Sequence, residues 1–300
     1  MSRTEHVIST EHLTYHFGPD LDPVAAIEPG DVVTLETLDA SSGRVPGGMD
    51  VVDYTRVRDP NRVNPATGPI AVRGAEVGDE LWVEILAIDL GDVGWARLTP
   101  GSGVMRDEIA ETVGMIFRRE GDELVCPDGL RLPTRPMVGV IGTCPATGRY
   151  STGGLGPHGG NLDFSDMTIG TLAHLPVWVP GGLFALGDVH ASMGDAEVSG
   201  TAVEICARVR VRIDLVKGTR LDRPWYETAD AWMTWGAAPD LEEAVRQAVA
   251  HMASFLQARL GVTRAEAFLL VTARGDVRIG QSARCGIDQT ARVLFPKLAR

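Results

Sequence analysis

The chain has 300 residues, of which 44% are hydrophobic and 23% are charged, and its formal net charge is -12 at pH 7. This composition is that of an ordinary globular protein, and the negative charge excludes nucleic acid and anionic membrane surfaces from the expected partners. No apolar run reaches the roughly 18 residues that a membrane-spanning helix needs, and the polar residues 1–11 lack the apolar core of a signal peptide. The cytoplasm is therefore the expected location.

The first 218 residues predict short β-strands joined by tight turns, in keeping with 35 glycines and 18 prolines. Strand-like alternation or short buried apolar runs occur in five parts of this region, namely 6–40, 69–73, 79–90, 91–145 and 175–216. Residues 41–68 contain many Gly, Pro and Asn residues and are predicted as a long loop. Loops of this length in compact domains are often functional.

The composition changes after about residue 218. An amphipathic helix is predicted from Asp240 to Leu260, with Asp240 as N-cap, Glu243 as its capping-box-like partner and Gly261 as the C-terminal stop. Thr263 and Glu266 repeat the cap pattern before a second helix, and a strand or two follow over 275–297. The expected fold is thus mainly β with a C-terminal α/β segment, or α+β overall.

Polar residues are spaced two apart between residues 158 and 204. The pairs are Asn161/Asp163, Asp188/His190 and Asp195/Glu197, with Glu204 beyond them. Residues two apart in a strand point to the same face, so Asp188 and His190 can offer two ligands to one divalent metal. The solvated face of a half-buried strand would give the same spacing, but the apolar flanks and adjacent glycines favour a site.

Other chemistries find less support in the sequence. The glycine loop 153–160 has no lysine and no dinucleotide fingerprint, so it is not a phosphate cradle; we expect its backbone to approach a small substrate. No G-x-S-x-G elbow occurs. Cys144 has no evident local base, and the four cysteines, which include Cys285, are expected to be free thiols. Asp39 ends a strand before a glycine-rich loop, where functional carboxylates and turn formers are both common.

Five segments, taken in chain order, resemble the acetamidase/formamidase family. They are "PVAAIEPGDVVTLETLDA", "NPATGPIAVRGAEVGDELWVEI", "MVGVIGTCPATG", "GPHGGNLDF" and "GDVHASMGDAEVSGTAVE". Three family motifs map onto this chain: Gly-Gly-Asn-x-Asp onto Gly159, Gly160, Asn161 and Asp163, Gly-Asp-x-His onto Gly187, Asp188 and His190, and Gly-Asp-x-Glu onto Gly194, Asp195 and Glu197. The chain departs from the family at Ser192-Met193, where Ala-Gln is frequent.

The resemblance implies hydrolysis of short linear amides, such as formamide or acetamide, to the acid and ammonia. It also implies a jelly-roll-like sandwich with a small barrel-like part and an α/β segment, and a homodimer or higher homo-oligomer. The expected division of the chain is 1–90 and 161–218 for two parts of the sandwich, 91–160 for the barrel-like part with the glycine loop, and 219–300 for the α/β segment. A divalent metal is implied as cofactor, zinc first and calcium as the alternative.

We expect Asp188, His190, Asp163 and Asp39 as metal ligands. Glu197 is the expected general base and proton shuttle, with Asp195 beside it and Asn161 orienting the amide. Backbone N–H groups of the loop that contains His158, Gly159 and Gly160 are expected to stabilise the oxyanion.

Two alternatives stay open at the level of the sequence. One is a non-catalytic β-sandwich module that binds a metal ion or a small polar ligand. The other is a cupin-like metal oxygenase, but such sites use several closely spaced histidines, whereas this region offers only His190 with His158 and His174 some distance away.

Overall fold

The structure is a computed structural model that describes residues 4–283, 286 and 288–298. In this part of the chain most of the regular structure is β, with three helices, which confirms the predicted fold class. None of the described helices combines the length and apolar character that crossing a bilayer requires. Cys126, Cys144 and Cys206 are free thiols, as predicted, and Cys285 lies outside the described residues.

The strands are numbered in chain order. Those before residue 145 are β1 (Glu5–Ile8), β2 (Leu13–Thr14), β3 (His16–Phe17), β4 (Ala25–Ile27), β5 (Asp31–Thr37), β6 (Ala66–Val72), β7 (Glu80–Leu98), β8 (Val113–Glu120), β9 (Glu123–Val125), β10 (Arg131–Pro133) and β11 (Met137–Gly142). Those after it are β12 (Tyr150–Ser151), β13 (Leu155–Gly156), β14 (Gly159–Asn161), β15 (Leu172–Pro176), β16 (Phe184–His190), β17 (Glu204–Val216), β18 (Trp225–Glu227), β19 (Ala231–Ala238), β20 (Asp276–Ile279) and β21 (Gln289–Pro296).

Strand β17 lies at the centre of the largest sheet. It pairs antiparallel with β5 on one side and with β7 on the other. Val209, Val211 and Ile213 are buried, whereas the residues between them are more exposed, which is the period-2 pattern of a strand with one covered face. The register against β7 shifts twice, and such irregularities bend a strand. The far end of β7 also pairs with β8.

Strands β11 and β16 form the part of the sheet that carries most of the predicted site. Strand β16 lies between β11 and β6, and β11 also pairs with β14. Every residue of β11 and β16 is buried, as in strands that are covered on both faces. At the end of β16, His190 lies opposite Glu204, the first residue of β17. The pairing thus brings three segments of the region 158–204 together.

The C-terminal helices α2 (Leu241–Leu260) and α3 (Arg264–Arg274) pack on β19 and β21 around a second apolar core. Their predicted caps are confirmed: Asp240 accepts from the Glu243 N–H, and Thr263 and Glu266 form a reciprocal capping box. Gly261 ends α2 with φ 72°, a left-handed conformation that glycine adopts without steric cost. The predicted strands at the end of the chain are also present.

The segment 41–68 contains a helix that the sequence did not predict, α1 (Val51–Val57). It has only seven residues and begins with two valines, which are weak helix formers. Its stability comes from a cap at Asp50 and from packing of Val51 and Tyr54 on Trp95. Tertiary contacts thus decide the conformation of this segment.

Asp39 anchors the start of this segment. Its Oδ1 accepts from the N–H and the hydroxyl of Ser41 and from the Gly43 N–H, and its Oδ2 accepts from Trp95 Nε1 at 2.7 Å. Asp39 is fully buried, so these four donors depend on a single side chain.

We expect Asp39→Ala to lower the free energy of unfolding by about 2–4 kcal/mol, because it leaves several buried donors without an acceptor. Urea denaturation measures the change. Asp53→Ala is the matched control, since Asp53 is exposed and pairs only with exposed Arg56, and we expect it to cost less than about 1 kcal/mol. Equal effects of the two substitutions would show that Asp39 does not anchor the segment.

Candidate metal site and adjoining cavity

Four carboxylates and one imidazole meet in the interior of the protein. They belong to Asp163, Asp188, His190, Glu197 and Glu204, each at most 8% exposed. His190 is central: its Nδ1 lies 3.8 Å from Asp163 Oδ1, and its Nε2 lies 3.7 Å from Asp188 Oδ1 and 3.5 Å from Glu204 Oε2. Two triads that share His190, one with both aspartates and one with both glutamates, have their ligand atoms within 4.8 Å of one another.

The backbone at three of these residues adopts an unusual conformation. Asp163, Asp188 and Glu197 have φ of 47°, 53° and 42°, the left-handed region that residues other than glycine rarely occupy. Such conformations cost on the order of 1–3 kcal/mol each and collect at functional sites. These backbone conformations direct the three carboxylates into the same interior space as His190.

Two amide side chains hold the aspartates from behind. Asn64 Nδ2 donates to Asp188 Oδ2 at 2.6 Å, and Gln281 Nε2 donates to Asp163 Oδ2 at 2.5 Å. In each aspartate the other oxygen, Oδ1, faces His190. The amides therefore fix the orientation of the carboxylates and leave one oxygen of each free toward the centre of the cluster.

Burial and mutual repulsion govern the charges of the cluster. Desolvation raises the pKa of Asp163 to about 7 and that of Asp188 to about 6, and neighbouring carboxylates add to the rise. Desolvation and the carboxylate of Asp163 also raise the pKa of Glu197 well above its usual value. Burial alone would lower the pKa of His190, but Glu204 and Asp188 raise it well above the usual value. Protons or a cation must therefore compensate the negative charge.

The cluster has the properties of a divalent-cation site. Asp163 Oδ1, Asp188 Oδ1, Glu204 Oε2 and both nitrogens of His190 are buried without a hydrogen-bond partner, a condition that calls for an ion or a water. A Cβ atom at Gly139 would lie 2.5 Å from Asp163 Oδ1 and 2.8 Å from the Asp188 carbonyl oxygen, so glycine there keeps room for the carboxylate. Carboxylates with an imidazole suit zinc or another transition metal, whereas calcium prefers oxygen alone.

A cavity of about 550 Å³ adjoins the cluster. Glu197, Glu204 and Asn161 line one part of it, and the Asn161 Oδ1 atom has no hydrogen-bond partner. The segment 40–64 and the end of β7 supply other walls, including Tyr54, Arg58, Trp95 and Arg97. A small molecule in this cavity can therefore contact two carboxylates of the cluster and a free amide group.

Five of the ten predicted site residues lie at the cluster or the cavity. Asp163, Asp188, His190 and Glu197 are members of the cluster, and Asn161 lines the cavity. Asp188 and His190 project together, as predicted, although the backbone at Asp188 is not that of a regular strand. The chemical roles given to these residues stay predictions.

Asp39 and Asp195 lie elsewhere. Asp39 uses both oxygens to anchor the segment that follows it and belongs to neither triad. Asp195 accepts from Ser165 Oγ and pairs with buried Arg292 at 2.7 Å. The prediction that Asp195 and Glu197 share one strand face is wrong, because they flank Ala196 in a turn rather than a strand.

His158, Gly159 and Gly160 are not among the residues that line the cavity. Gly159 and Gly160 belong to β14 and pair with β11, and a Cβ atom at either one would come within 2.4 Å of a backbone oxygen. These glycines thus allow close approach of strands. His158 lies between the rings of Phe17 and Tyr150, and burial lowers its pKa to about 4. The prediction that this loop stabilises an oxyanion gains no support from these positions.

Signals for the remaining residues of the site are weak in the sequence. Glu204 continues the polar series of 158–204, and its position opposite His190 depends on strand pairing. Asn64 and Gln281 are 124 and 118 residues away from the aspartates that they hold, and single amides in polar loops carry no motif. Only their long-range hydrogen bonds in the folded structure identify Asn64 and Gln281 as residues of the site.

Comparison with known proteins finds similarity to one family and to solved structures of its members. A family model described as the Acetamidase/Formamidase family matches residues 2–152 and 148–285. The structure resembles that of an acetamidase from Bacillus halodurans with a TM-score of 0.90 and 38% identity, covering 97% of each chain. It also resembles a predicted acetamidase/formamidase from Thermoanaerobacter tengcongensis with a TM-score of 0.92 and 33% identity, covering 98% of this chain and 96% of the other.

A curated relative is longer than this chain. The formamidase of Methylophilus methylotrophus is 27% identical over 271 residues, and the match covers 69% of this chain and 64% of that protein. The match therefore spans less than two thirds of the length of that formamidase.

Gly139→Ala is expected to abolish high-affinity binding of a divalent cation, because the new methyl group would collide with the Asp163 carboxylate. Zinc content after dialysis and titration of the metal-free protein measure the loss. Gly194→Ala is the matched control: Gly194 lies beside the site, but a Cβ atom there meets nothing within 4 Å. Full zinc content in Gly139→Ala would contradict the assignment of the site.

The metal-free protein is expected to lose stability as the pH rises from about 5 to 7. Over this range the folded state keeps protons on Asp163 and Asp188, whose pKa values are raised, whereas the unfolded chain has released them. The folded state then binds more protons, so the free energy of unfolding falls with pH. Urea denaturation with a chelator measures the slope, which Asp163→Asn should reduce. Stability that rises with pH in both proteins would refute this prediction.

Proposed function

This chain belongs to the acetamidase/formamidase family, and from that premise we propose that it hydrolyses the C–N bond of linear amides to a carboxylic acid and ammonia. The observation that carries the proposal is the buried cluster of carboxylates around His190, which contains unpartnered polar atoms and two of whose members, Glu197 and Glu204, line a cavity. We further propose that it acts in the cytoplasm as a homodimer or a higher homo-oligomer, as the family resemblance implies.

The residues that would hold a divalent cation are Asp163, Asp188 and His190, joined by Glu204. Zinc is the first choice because of the imidazole, with calcium as the alternative. When bound, such an ion polarises a carbonyl group and lowers the pKa of a water molecule toward 7. Asn64 and Gln281 hold the aspartates in the orientation that this requires.

Glu197 is the proposed general base. It lines the cavity, and its carboxylate, whose pKa is raised by burial and by Asp163, is a stronger base than an exposed carboxylate. Glu197 accepts a proton from the attacking water, whose oxygen bonds to the amide carbon. The proton then passes to the amide nitrogen as the C–N bond breaks, and ammonia leaves. The free side-chain oxygen of Asn161 is placed to accept a hydrogen bond from the substrate N–H group.

The alternative function is that of a non-catalytic module that binds a metal ion. Such a module would use the same cluster but would require no general base. Measuring amide hydrolysis separates the two functions, because the amidase releases ammonia whereas the module binds its metal ion without activity. Asp195 has no direct part in the proposed reaction, because its carboxylate is occupied by Arg292 and Ser165.

The zinc-loaded protein is expected to release ammonia from a panel of formamide, acetamide, propionamide and butyramide. Glu197→Gln should lower kcat by about 10²- to 10⁴-fold, the usual contribution of a general base, while keeping its metal. His190→Ala should lose both metal and activity. Glu108→Gln, at an exposed carboxylate, is the control with unchanged activity. A zinc-loaded protein without activity on any of these amides would overturn the proposed function.

A further inference from the structure

The cavity is much larger than the smallest amides. A compound with four heavy atoms, such as acetamide, fills roughly the space of two to three waters, each about 30 Å³. The cavity measures about 550 Å³, within the range of about 300–1,000 Å³ that accommodates larger ligands. Its walls beyond the metal cluster can therefore contact a part of the substrate that lies outside the amide group.

Arg58 is a cavity-lining residue whose positive charge lacks a compensating partner among the described residues. It directly follows α1, lines the cavity and is half-buried. Among the described residues, no hydrogen-bond or ion-pair partner of Arg58 is found. Its neighbours differ: Arg56 pairs with Asp53 at 2.9 Å, and the Arg62 guanidinium lies 4.5 Å from the centre of the Tyr15 ring. A guanidinium partly removed from water is expected to have an acceptor.

A second arginine strengthens the positive charge of this wall. Arg97 lines the same cavity and donates to Thr55 Oγ1 at 3.4 Å. Burial raises the pKa of the Tyr54 hydroxyl, and the positive charges of Arg97 and Arg58 oppose that rise. Both arginines thus lie within electrostatic reach of the same cavity-lining side chain. The carboxylates that line the cavity, Glu197 and Glu204, belong to the metal cluster.

We propose that Arg58 binds a carboxylate on the acyl chain of the substrate, so that the preferred substrates are monoamides of dicarboxylic acids. The inference rests on the proposed amidase function and names its substrate class. A guanidinium matches a carboxylate with two parallel hydrogen bonds. Glu197 and the cation site receive the neutral amide end of such a molecule, whereas Arg58 and Arg97 attract its carboxylate, so the charges of the cavity also select one orientation.

The test compares succinamate with butyramide, in which a methyl group replaces the carboxylate. The zinc-loaded wild-type protein should show a kcat/KM for succinamate at least tenfold above that for butyramide. In Arg58→Gln the ratio of the two kcat/KM values should fall by about 10- to 100-fold, the worth of a charged hydrogen bond of about 1.5–3 kcal/mol. The lower kcat/KM for succinamate should result from a higher KM, and Arg58→Lys should restore part of the wild-type ratio.

Arg56→Gln is the matched control, because Arg56 lies two residues earlier on α1 and pairs outside the cavity. It should keep the wild-type ratio. If Arg58→Gln also keeps that ratio, or if the wild-type protein does not prefer succinamate, the inference is overturned while the amidase function stands. Should Arg58→Gln fail to fold, the wild-type preference and the ratio in Arg58→Lys decide the outcome.

Binding without turnover tests the inference independently of the reaction. Calorimetry on zinc-loaded Glu197→Gln protein should show succinamate binding at least tenfold more tightly than butyramide, with the difference reduced when Arg58→Gln is added. If the wild-type protein hydrolyses no amide but this difference is present, the proposed function fails and the carboxylate site stands. Equal affinities for succinamate and butyramide would overturn the inference.

Discussion

The burial of four carboxylates around one imidazole is the constraint on which the rest of the site depends. Like charges at such separations repel strongly in a medium of low dielectric constant, and burial removes the water that would screen them. The raised pKa values of Asp163, Asp188 and Glu197 express this cost. The cluster is stable only with bound protons or a bound cation, and its unpartnered atoms around His190 are arranged for the cation.

The surrounding fold supplies the rigidity that this arrangement needs. Strands β11, β16 and β17 are held on both sides, and their ends place His190 opposite Glu204. Backbone conformations in the left-handed region then direct Asp163, Asp188 and Glu197 inward. A strained backbone persists only where the neighbouring structure determines it, and a paired sheet of long strands provides that support. Gly139 completes the arrangement by leaving room for the Asp163 carboxylate.

Two parts of the fold supply the residues of the site. The paired strands and the turns beside them supply the cluster, whereas the segment that begins at Asp39 supplies a wall of the cavity with Tyr54 and Arg58. The hydrogen bond from Trp95 Nε1 to Asp39 Oδ2 connects that segment to the sheet. Changes in the segment can therefore alter the choice of substrate without altering the cluster. In the proposed amidase, this separation lets one buried cluster combine with cavity walls that fit amides of different size and charge.

Local information in the sequence determined the strand-rich character, the caps of the two C-terminal helices and the polar pairs from which Asp163, Asp188, His190 and Glu197 were selected. These features depend on residues two to four positions apart, a distance over which backbone periodicity and capping act. Tertiary structure alone decided that Asp195 turns away from Glu197, that Asp39 anchors a loop, and that Asn64, Gln281 and Arg58 belong to the site. Asn64 and Gln281 contact aspartates more than a hundred positions away, Asp39 accepts from Trp95 across 56 positions, and Asp195 accepts from Arg292 across 97. No local pattern encodes these long-range contacts.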